Sequence, residues 1–472
     1  MDTFERLTAL SAALETGLVE RRRHVRLALL AALAGEHTLL VGPPGTAKSE
    51  LARRLHTAFR DAAYFERLLT RFSVPEELFG PLSIRALEED RYERHTAGFL
   101  PDAAIAFIDE VFKANSAILN ALLTLLNERE FDNGAGRQPC PLISAIGATN
   151  AVPEDEVAEA FFDRFLLRLP VEQVSREGFD ALLRTPDTLT RAGAANALAL
   201  TRDDLAALAA QAAAVELPDT AAALLAELRS HCADEQLPVS DRRWVKIVRL
   251  LRVAAAAAGR KSISAWDLLL LPFCTAPDAA RQEAVAGWLA ARLGVRDAVS
   301  PARLTRVVEA FEAQRDLETK ANDLDYDESG RLKFSSTELA ASLANDIAGS
   351  IGDAKGGAAA LRMTYSRQRR YGATHIEARV RQIDDALTRI ATYAAEIAER
   401  ESELAAYRAR NLWLDEALLD RVAANLRGTA ATIAGLAARM QAARESFLAL
   451  PRLDADDGRM PEPVAHENLA AA

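Results

Sequence analysis

Eight consecutive residues, Gly42-Pro43-Pro44-Gly45-Thr46-Ala47-Lys48-Ser49, follow the apolar run Thr38-Leu39-Leu40-Val41 and precede a helical stretch. A buried strand that delivers a glycine-rich turn to a helix N-terminus suits a phosphate group. The glycines let backbone N–H groups curl around it, and the helix adds the positive end of its dipole. Lys48 is then placed to reach the β- and γ-phosphates of a nucleoside triphosphate, and Ser49 to ligate Mg2+. The fit to G-x-x-x-x-G-K-[ST] is incomplete, because Ala47 stands where a second glycine is usual. Alanine is the mildest departure there, adding only a methyl group.

A second run, Ala104-Ile105-Ala106-Phe107-Ile108, is uncharged and ends in the adjacent carboxylates Asp109 and Glu110. It reads as another buried strand, with Asp109 holding Mg2+ through water and Glu110 polarising an attacking water as a general base. Adjacent acids after a strand also serve as a plain helix cap, and it is the phosphate loop upstream that favours the catalytic reading. A third strand is expected from Leu142 to Thr149. It ends at Asn150, a polar group at the carboxyl end of a buried strand, where open α/β sheets place their ligands. Asn150 either orients the water beside the γ-phosphate or forms a turn.

Such residues need a large scaffold, and at 472 residues the chain has room for about three domains. Half the residues are hydrophobic, but aromatics make up only 6% and alanine is abundant, so a helix-rich α/β protein packed through small side chains is expected. No apolar stretch approaches the ~20 residues of a membrane span. The opening Met1-Asp2-Thr3-Phe4-Glu5-Arg6 lacks the basic-then-apolar layout of a signal peptide, and a cytoplasmic protein is expected. Cys140, Cys232 and Cys274 are isolated and odd in number, which suggests buried small hydrophobes and neither a disulfide framework nor a zinc site. A net charge of -11 argues against general nucleic-acid binding. The basic clusters Arg21-Arg22-Arg23-His24-Val25-Arg26 and Arg367-Gln368-Arg369-Arg370 read as solvated or acid-pairing faces, the first near the nucleotide edge.

After Asp109 and Glu110, Ile118, Leu119, Leu122, Leu123, Leu125 and Leu126 form a helical apolar face, and Phe131 to Gln138 contains Asn133-Gly134, a type I′ hairpin signal. Taken in order, GPPGTAKS, AFIDEVFKANSAILNALLTLLNEREF, the hairpin, ISAIGATN and EAFFDRFLLRL resemble the MoxR branch of AAA+ ATPases, with the closest resemblance to the RavA (regulatory ATPase variant A) group. The resemblance covers about residues 1 to 290. It implies an α/β AAA+ core in which a P-loop parallel sheet carries helix-2 and pre-sensor-1 hairpin inserts, followed by an all-α lid. ATP and Mg2+ are the implied ligands, and a homo-oligomeric ring, typically a hexamer, the working unit. The first insert would fall near Phe79 to Ala103, with Leu82-Ser83-Ile84 and Arg91-Tyr92-Glu93 as its strands, and the second at Phe131 to Gln138. The resemblance further matches Arg164 to the arginine finger that reaches a neighbouring subunit's γ-phosphate, with Arg168 a competitor. It matches Arg242 to the second sensor in the lid, with Arg243 a competitor. Finally, it implies a partner with a von Willebrand factor A domain, whose metal-ion adhesion site contacts the client of a chaperone or remodelling machine.

Residues 302–323 look helical, and Asp323 to Gly330 superficially matches a calcium loop. It fails because glycine is displaced from the sixth position and Phe334 occupies the twelfth, so an acidic linker is the better account. Gly352, Gly356 and Gly357 mark another break. From Ile376 the apolar positions Val380, Ile383, Leu387, Ile390, Ala394, Ile397 and Leu404 fall on four-three spacing. That series is interrupted only by Glu401, and Leu419, Val422, Leu426, Thr429, Ile433, Leu436, Met440, Ala443, Phe447 and Leu450 repeat it. Two such helices should form an antiparallel coiled-coil hairpin roughly 50 Å long, as a brace or as an arm that docks a partner. The expected organisation is 1–190 nucleotide-binding subdomain, 191–295 helical lid, 296–375 connector, 376–451 hairpin and 452–472 disordered tail. No β pattern is evident in 324–375, where the RavA group carries a β-rich domain between helices. A nucleic-acid motor and an ATP-assembled scaffold with little turnover are the rival readings.

Overall fold

A computed structural model describes residues 2–134, 136–151, 156–184, 197–293, 300–323, 367–456 and 458–466. The chain divides into two contact units, one formed by Met1–Leu293 with Ser402–Asn425 and the other by Gly294–Glu401 with Leu426–Ala472.

The first unit is built on strands β1 (His37–Val41), β2 (Tyr64–Leu68) and β3 (Ile105–Asp109), a separate antiparallel pair β4 (Glu130–Asn133) and β5 (Gly136–Pro139), then β6 (Ser144–Thr149) and β7 (Phe165–Pro170). The main sheet has the order β2-β3-β6-β1-β7, with every neighbouring pair parallel. Leu39, Leu40, Ile105 through Ile108, Ala145, Ile146, Ala148 and Phe165 through Leu167 are all buried. Such unbroken apolar runs suit a parallel sheet covered on both faces.

Its covering helices include α1 (Thr3–Glu15), α2 (Arg22–Leu33), α3 (Lys48–His56), α4 (Pro75–Phe79), α5 (Ile84–Glu88), α6 (Ser116–Glu128), α7 (Glu156–Phe162) and α8 (Arg176–Arg184). In α6 the expected apolar face is buried at Ile118, Leu119, Leu122, Leu125 and Leu126, and the Asn115 side chain caps the helix by accepting from Ile118 N at 3.0 Å.

The two inserts differ in form from the expectation. Leu82 and Arg94 make a single antiparallel bridge, flanked by Ser83 N donating to Glu93 O at 2.8 Å and His95 N donating to Pro81 O at 2.9 Å. The ladder ends there because Ser83 caps α5 by accepting from Ala86 N, so Ile84 enters a helix where a strand was expected. In the second insert Asn133 pairs with Gly136, which puts Asn133 in the strand and starts the connection at Gly134. Asn133 is buried, and its Oδ1 accepts from Arg94 N at 2.7 Å while its Nδ2 donates to Arg94 O at 3.2 Å. Gly134 lies at φ +70° so close to the first insert that an added Cβ would sit 1.5 Å from Tyr92 O. With Phe79 stacked on Phe131 at 5.3 Å, the two inserts form one packed body.

The chain continues through α9 (Arg202–Ala213) into the lid helices α10 (Asp219–Asp234), α11 (Asp241–Ala257), α12 (Leu271–Thr275) and α13 (Ala279–Arg292). Thr201 and Asp204 make a capping box for α9, and Ser240 caps α11. The three cysteines are free and buried, as expected of small hydrophobes.

In the second unit α14 (Pro301–Thr319) is followed by the pair β8 (Asn322–Asp323) and β9 (Arg367–Gln368), which is antiparallel. Beyond Asp323, which lies in β8, the acidic linker is outside the described residues, as are the glycine break and the expected subdomain borders near 190 and 295. Helices α15 (Ala373–Ala409) and α16 (Glu416–Leu448) run through both units. Ile376, Ile383, Ile390 and Ile397 are buried, as are Leu426, Ile433, Leu436, Met440 and Phe447. The seam departs from the expected positions at three places: Arg379, Ala386 and Tyr393 are buried, whereas Val380 and Leu387 are only partly buried and Ala394 is exposed. An Arg444–Asp384 pair at 2.7 Å ties the antiparallel helices within this unit. The expected disordered tail begins with ordered chain instead. Val464 is buried and its N donates to Gln382 Oε1 at 3.3 Å, while Arg379 donates to Glu462 O at 2.6 Å.

Candidate nucleotide site

Gly42 N donates to Thr149 O at 2.9 Å and Val171 N donates to Val41 O at 2.7 Å, so the glycine-rich loop emerges between the ends of β6 and β7. Only glycine fits at the exit, because a Cβ on Gly42 would lie 2.0 Å from Val171 O. Farther on, Gly45 has φ +79° and Ala47 φ +66°. Left-handed residues in such a turn aim N–H groups into a concave nest that fits phosphate oxygens. Ala47 therefore holds the conformation for which glycine is usual, at a cost of about 1–2 kcal/mol, and the departure is less mild than its size suggests. Helix α3 begins at Lys48. The Lys48 Nζ donates to Gly42 O at 2.7 Å and Pro43 O at 2.8 Å across the mouth of the loop. Burial lowers its pKa, and the Asp109 and Glu110 carboxylates oppose that shift.

Asp109 closes β3, where its Oδ1 accepts from Glu110 N at 3.0 Å. Glu110 is left-handed at φ 50°, a strained conformation for a residue with a side chain. Its Oε1 accepts from Asn150 Nδ2 at 2.7 Å and lies 3.2 Å from Lys113 Nζ. Thus Lys48, Asp109, Glu110 and Asn150 meet at the carboxyl edge of the central strands, and Ser49 stands beside Lys48 in the first turn of α3. The Ser49 hydroxyl and Asp109 carboxylate are hard oxygen donors of the kind Mg2+ takes.

The arginines belong to the opposite edge. β7 aligns Phe165 with His37 at the start of β1, so Arg164 sits at the level where β1 begins. The five residues of β1 separate that level from the phosphate loop, about 16 Å at roughly 3.3 Å per residue. Arg164 lies 3.9 Å from Asp163, and its Nε has no hydrogen-bond partner. Arg168, on β7, is buried, with its guanidinium 3.9 Å from the Phe162 ring centre. Arg243 is buried too, donating to the carbonyls of Cys274, Asp163, Phe165 and Leu166. It rivets the lid to the base of β7. Arg242, one residue before, is exposed, donates to Asn127 Oδ1 at 2.9 Å and lies near enough to Arg164 to depress its pKa, an effect second to burial.

Residues 5–210 match the family model of the MoxR domain in MoxR–vWA–beta-propeller ternary systems, and residues 220–289 match an AAA lid domain. An uncharacterized protein of Methanocaldococcus jannaschii is 38% identical over 272 residues, 57% of this chain and 70% of that one. The chain belongs to the MoxR family of AAA+ ATPases. Protein MoxR of Paracoccus denitrificans is 28% identical over 177 residues, 36% of this chain and 51% of that one. A crystal structure from Cytophaga hutchinsonii covers 57% of this chain and 85% of its own with 17% identity and a TM-score of 0.48.

Two features of this MoxR chain were not legible as site residues from motifs. Arg21 is buried beneath the loop, its Nε donating to Thr46 O at 3.2 Å and its Nη2 to Glu172 O at 2.6 Å. Its place in a basic cluster was the only signal. The cluster is acid-paired and partly buried: Arg26 bonds Glu15 at 2.6 Å, and Arg23 pairs with Asp415. Beyond Arg21 opens a cavity of about 510 Å3, bounded by Arg22, His24, Pro170, Phe273, Gln282 and the turn between α15 and α16.

Proposed function

We propose that the chain is a Mg2+-dependent ATPase that works as a homo-oligomeric ring, a hexamer by family resemblance. In this reading it remodels a client together with a von Willebrand factor A domain partner. The observation that carries it is the separation of two half-sites. The loop, the acids and Asn150 occupy one edge of the sheet, while Arg164 and Arg242 occupy the other. Contact between the carboxyl edge of one subunit and the arginine edge of the next would assemble a complete site, a head-to-tail contact of the kind that closes rings.

In that site the loop N–H groups and Lys48 bind the phosphates of ATP, and Ser49 and Asp109 would hold Mg2+, whose charge offsets that of the phosphate oxygens. Glu110 takes the proton of the attacking water. Its Oε1 is engaged by Asn150 and Lys113, which leaves Oε2 to accept that proton. Arg164 and Arg242 of the neighbour neutralise charge building on the transferred phosphoryl group. Exposure supports Arg242 over the buried Arg243, and likewise Arg164 over Arg168, which is buried and stacked on the Phe162 ring. The finer RavA grouping is part of the proposal and rests on the sequence resemblance of residues 1 to 290. A cytoplasmic setting is also proposed; among the described residues no helix is long and apolar enough to cross a membrane.

The test is ATP hydrolysis per subunit across a protein-concentration series, with Glu110→Gln as the control. A rate that climbs with concentration and falls about a hundredfold or more in the control is expected. A rate independent of concentration down to the verified monomer would sink the shared site, and a rate equal to the control would sink hydrolysis itself.

A further inference from the structure

The cavity beside the loop has an unexpected wall. Its floor and one side come from the segment before α2 and from the end of β7, and another side from lid residues Phe273 and Glu283. The remaining wall is Asp415, Ala417, Leu418 and Arg421, from the turn between α15 and α16 and the first turns of α16. These residues lie within the first unit. The turn is fastened on both sides of the cavity. Toward α2, Asp415 pairs with Arg23 and Arg26 donates to Leu412 O at 3.0 Å. Toward the lid, Arg421 pairs with Glu283 at 2.5 Å, Tyr407 donates to the buried Asp267 at 3.0 Å, and the Trp413 indole N–H donates to Ala254 O at 3.3 Å.

The cavity communicates with the phosphate loop through one residue, Arg21, which bonds a loop carbonyl and also lines the cavity. A triphosphate held by the loop must lay the rest of its molecule somewhere adjoining. A space of about 510 Å3 with apolar surfaces from Pro170, Pro272, Phe273 and Leu418 and acceptors from Glu20 and Asp415 suits a flat heterocycle and its sugar. We propose that the nucleoside part of the nucleotide enters this cavity and is contacted there by the helical-hairpin turn, with Leu418 and Asp415 as contacting residues and the Arg23–Asp415 and Glu283–Arg421 pairs as its clasps. This rests on the ATPase reading above and adds to it a contact made by the C-terminal helices. Occupancy of the cleft then bears directly on the turn, and through it on the two helices that leave the first unit.

The experiment uses the full-length chain with Mg2+ and a fluorescent ADP analogue labelled on the ribose. Titrations of the unaltered chain, Lys48→Ala, Ala417→Trp, the double variant Asp415→Ala/Arg421→Ala and Arg444→Ala are compared, with unlabelled ADP as competitor. Ala417 is exposed, and Asp415 and Arg421 are partly exposed, so these variants should fold, which circular dichroism checks. Ala417→Trp adds bulk at the cavity wall and is expected to raise the Kd about tenfold, and the double variant severalfold. Arg444→Ala, whose partner is Asp384 in the other unit, should leave Kd unchanged. In the unaltered chain, ADP should slow amide exchange over 411–421. Lys48-dependent binding with wild-type affinity in both turn variants and unchanged exchange would overturn the inference while leaving the nucleotide site standing. Failure of the unaltered chain to bind ADP would overturn both.

Discussion

Ala47 shows how a single residue can satisfy a motif and still work against it. Its φ of +66° is required by the turn of the loop, and the methyl group that makes it the smallest change from glycine also makes that φ unfavourable. Replacement by glycine removes ~1–2 kcal/mol of strain but adds ~0.4–1 kcal/mol of unfolded-state entropy, so Ala47→Gly should stabilise the chain by about 0.8 kcal/mol at the middle of those ranges and by about 1.6 kcal/mol at most. Thermal unfolding monitored by circular dichroism would show this as an upward shift in Tm, and a downward shift would contradict the argument. A second residue-scale effect concerns histidine. His37 is fully buried, accepting from Ala145 N at 3.0 Å through Nδ1 and bonding Leu126 O at 3.0 Å through Nε2, so its neutral form is held. Burial drives its pKa well below the ordinary value, and burial likewise moves His24 from near 6.5 to about 4. The unfolded chain therefore binds more protons than the folded chain in this window, and stability is lost as the pH falls from about 6.5 toward 4. Urea denaturation at about pH 7.5 and about pH 5 should give a lower midpoint at the acid value, and equal midpoints would refute it.

At the scale of elements, β1, β3 and β6 were readable because each is an apolar run ending at or beside a candidate site residue, whereas β2, which carries Glu66 and Arg67, and β7, which ends at Pro170, give no such signal. α6 was readable because its leucines recur at helical spacing. The inserts were only half readable. Leu82-Ser83-Ile84 alternates as a strand should, yet Ser83 is also a good cap, and the cap wins once Arg94 closes the loop behind it. Asn133-Gly134 signals a turn correctly, but the register places Asn133 in the strand, where its side chain serves as the tie between the two inserts. Nothing local to either insert could show that, since the partner lies 39 residues away. The same holds for the long helix α15, whose buried face takes Arg379, Ala386 and Tyr393 in place of the expected Val380, Leu387 and Ala394, because either neighbour continues a helical stripe from Ile376, Ile383, Ile390 and Ile397 and only packing selects between them. If Asn133 is the tie, Asn133→Ala leaves the Arg94 backbone donor and acceptor unpaired in a partly buried site and costs roughly 1–3 kcal/mol. Limited proteolysis should then cut between residues 82 and 96 sooner than in the unaltered chain while cleavage elsewhere is unchanged. Equal cutting rates would mean that the Phe79–Phe131 stack alone holds the inserts together.

At the scale of the whole molecule, resemblance matched Arg164 and Arg242 to the site, and the parallel register supplies the physical reason for the proposal that Arg164 acts on a neighbouring subunit. Arg164 is level with the beginning of β1, and the phosphate loop is at its end. That geometry predicts complementation between two inactive chains. Lys48→Ala retains the arginine edge and lacks phosphate binding; Arg164→Ala retains the loop and lacks the finger, at a cost of about a thousandfold or more in kcat. Mixed in equal amounts and allowed to exchange, they produce interfaces in which an intact loop meets an intact arginine about one time in four, so about a quarter of the unaltered rate should return. Each variant alone should stay near background. The Arg242→Ala chain mixed with Lys48→Ala tests whether the lid arginine acts across the same interface: recovery places it in trans, whereas no recovery despite verified exchange places its contribution within its own subunit. A mixture of Arg164→Ala with Arg242→Ala discriminates further, because both residues sit on one edge and must arrive together from the same neighbour. No interface in that mixture carries both arginines, and it should remain inactive even though each chain complements Lys48→Ala.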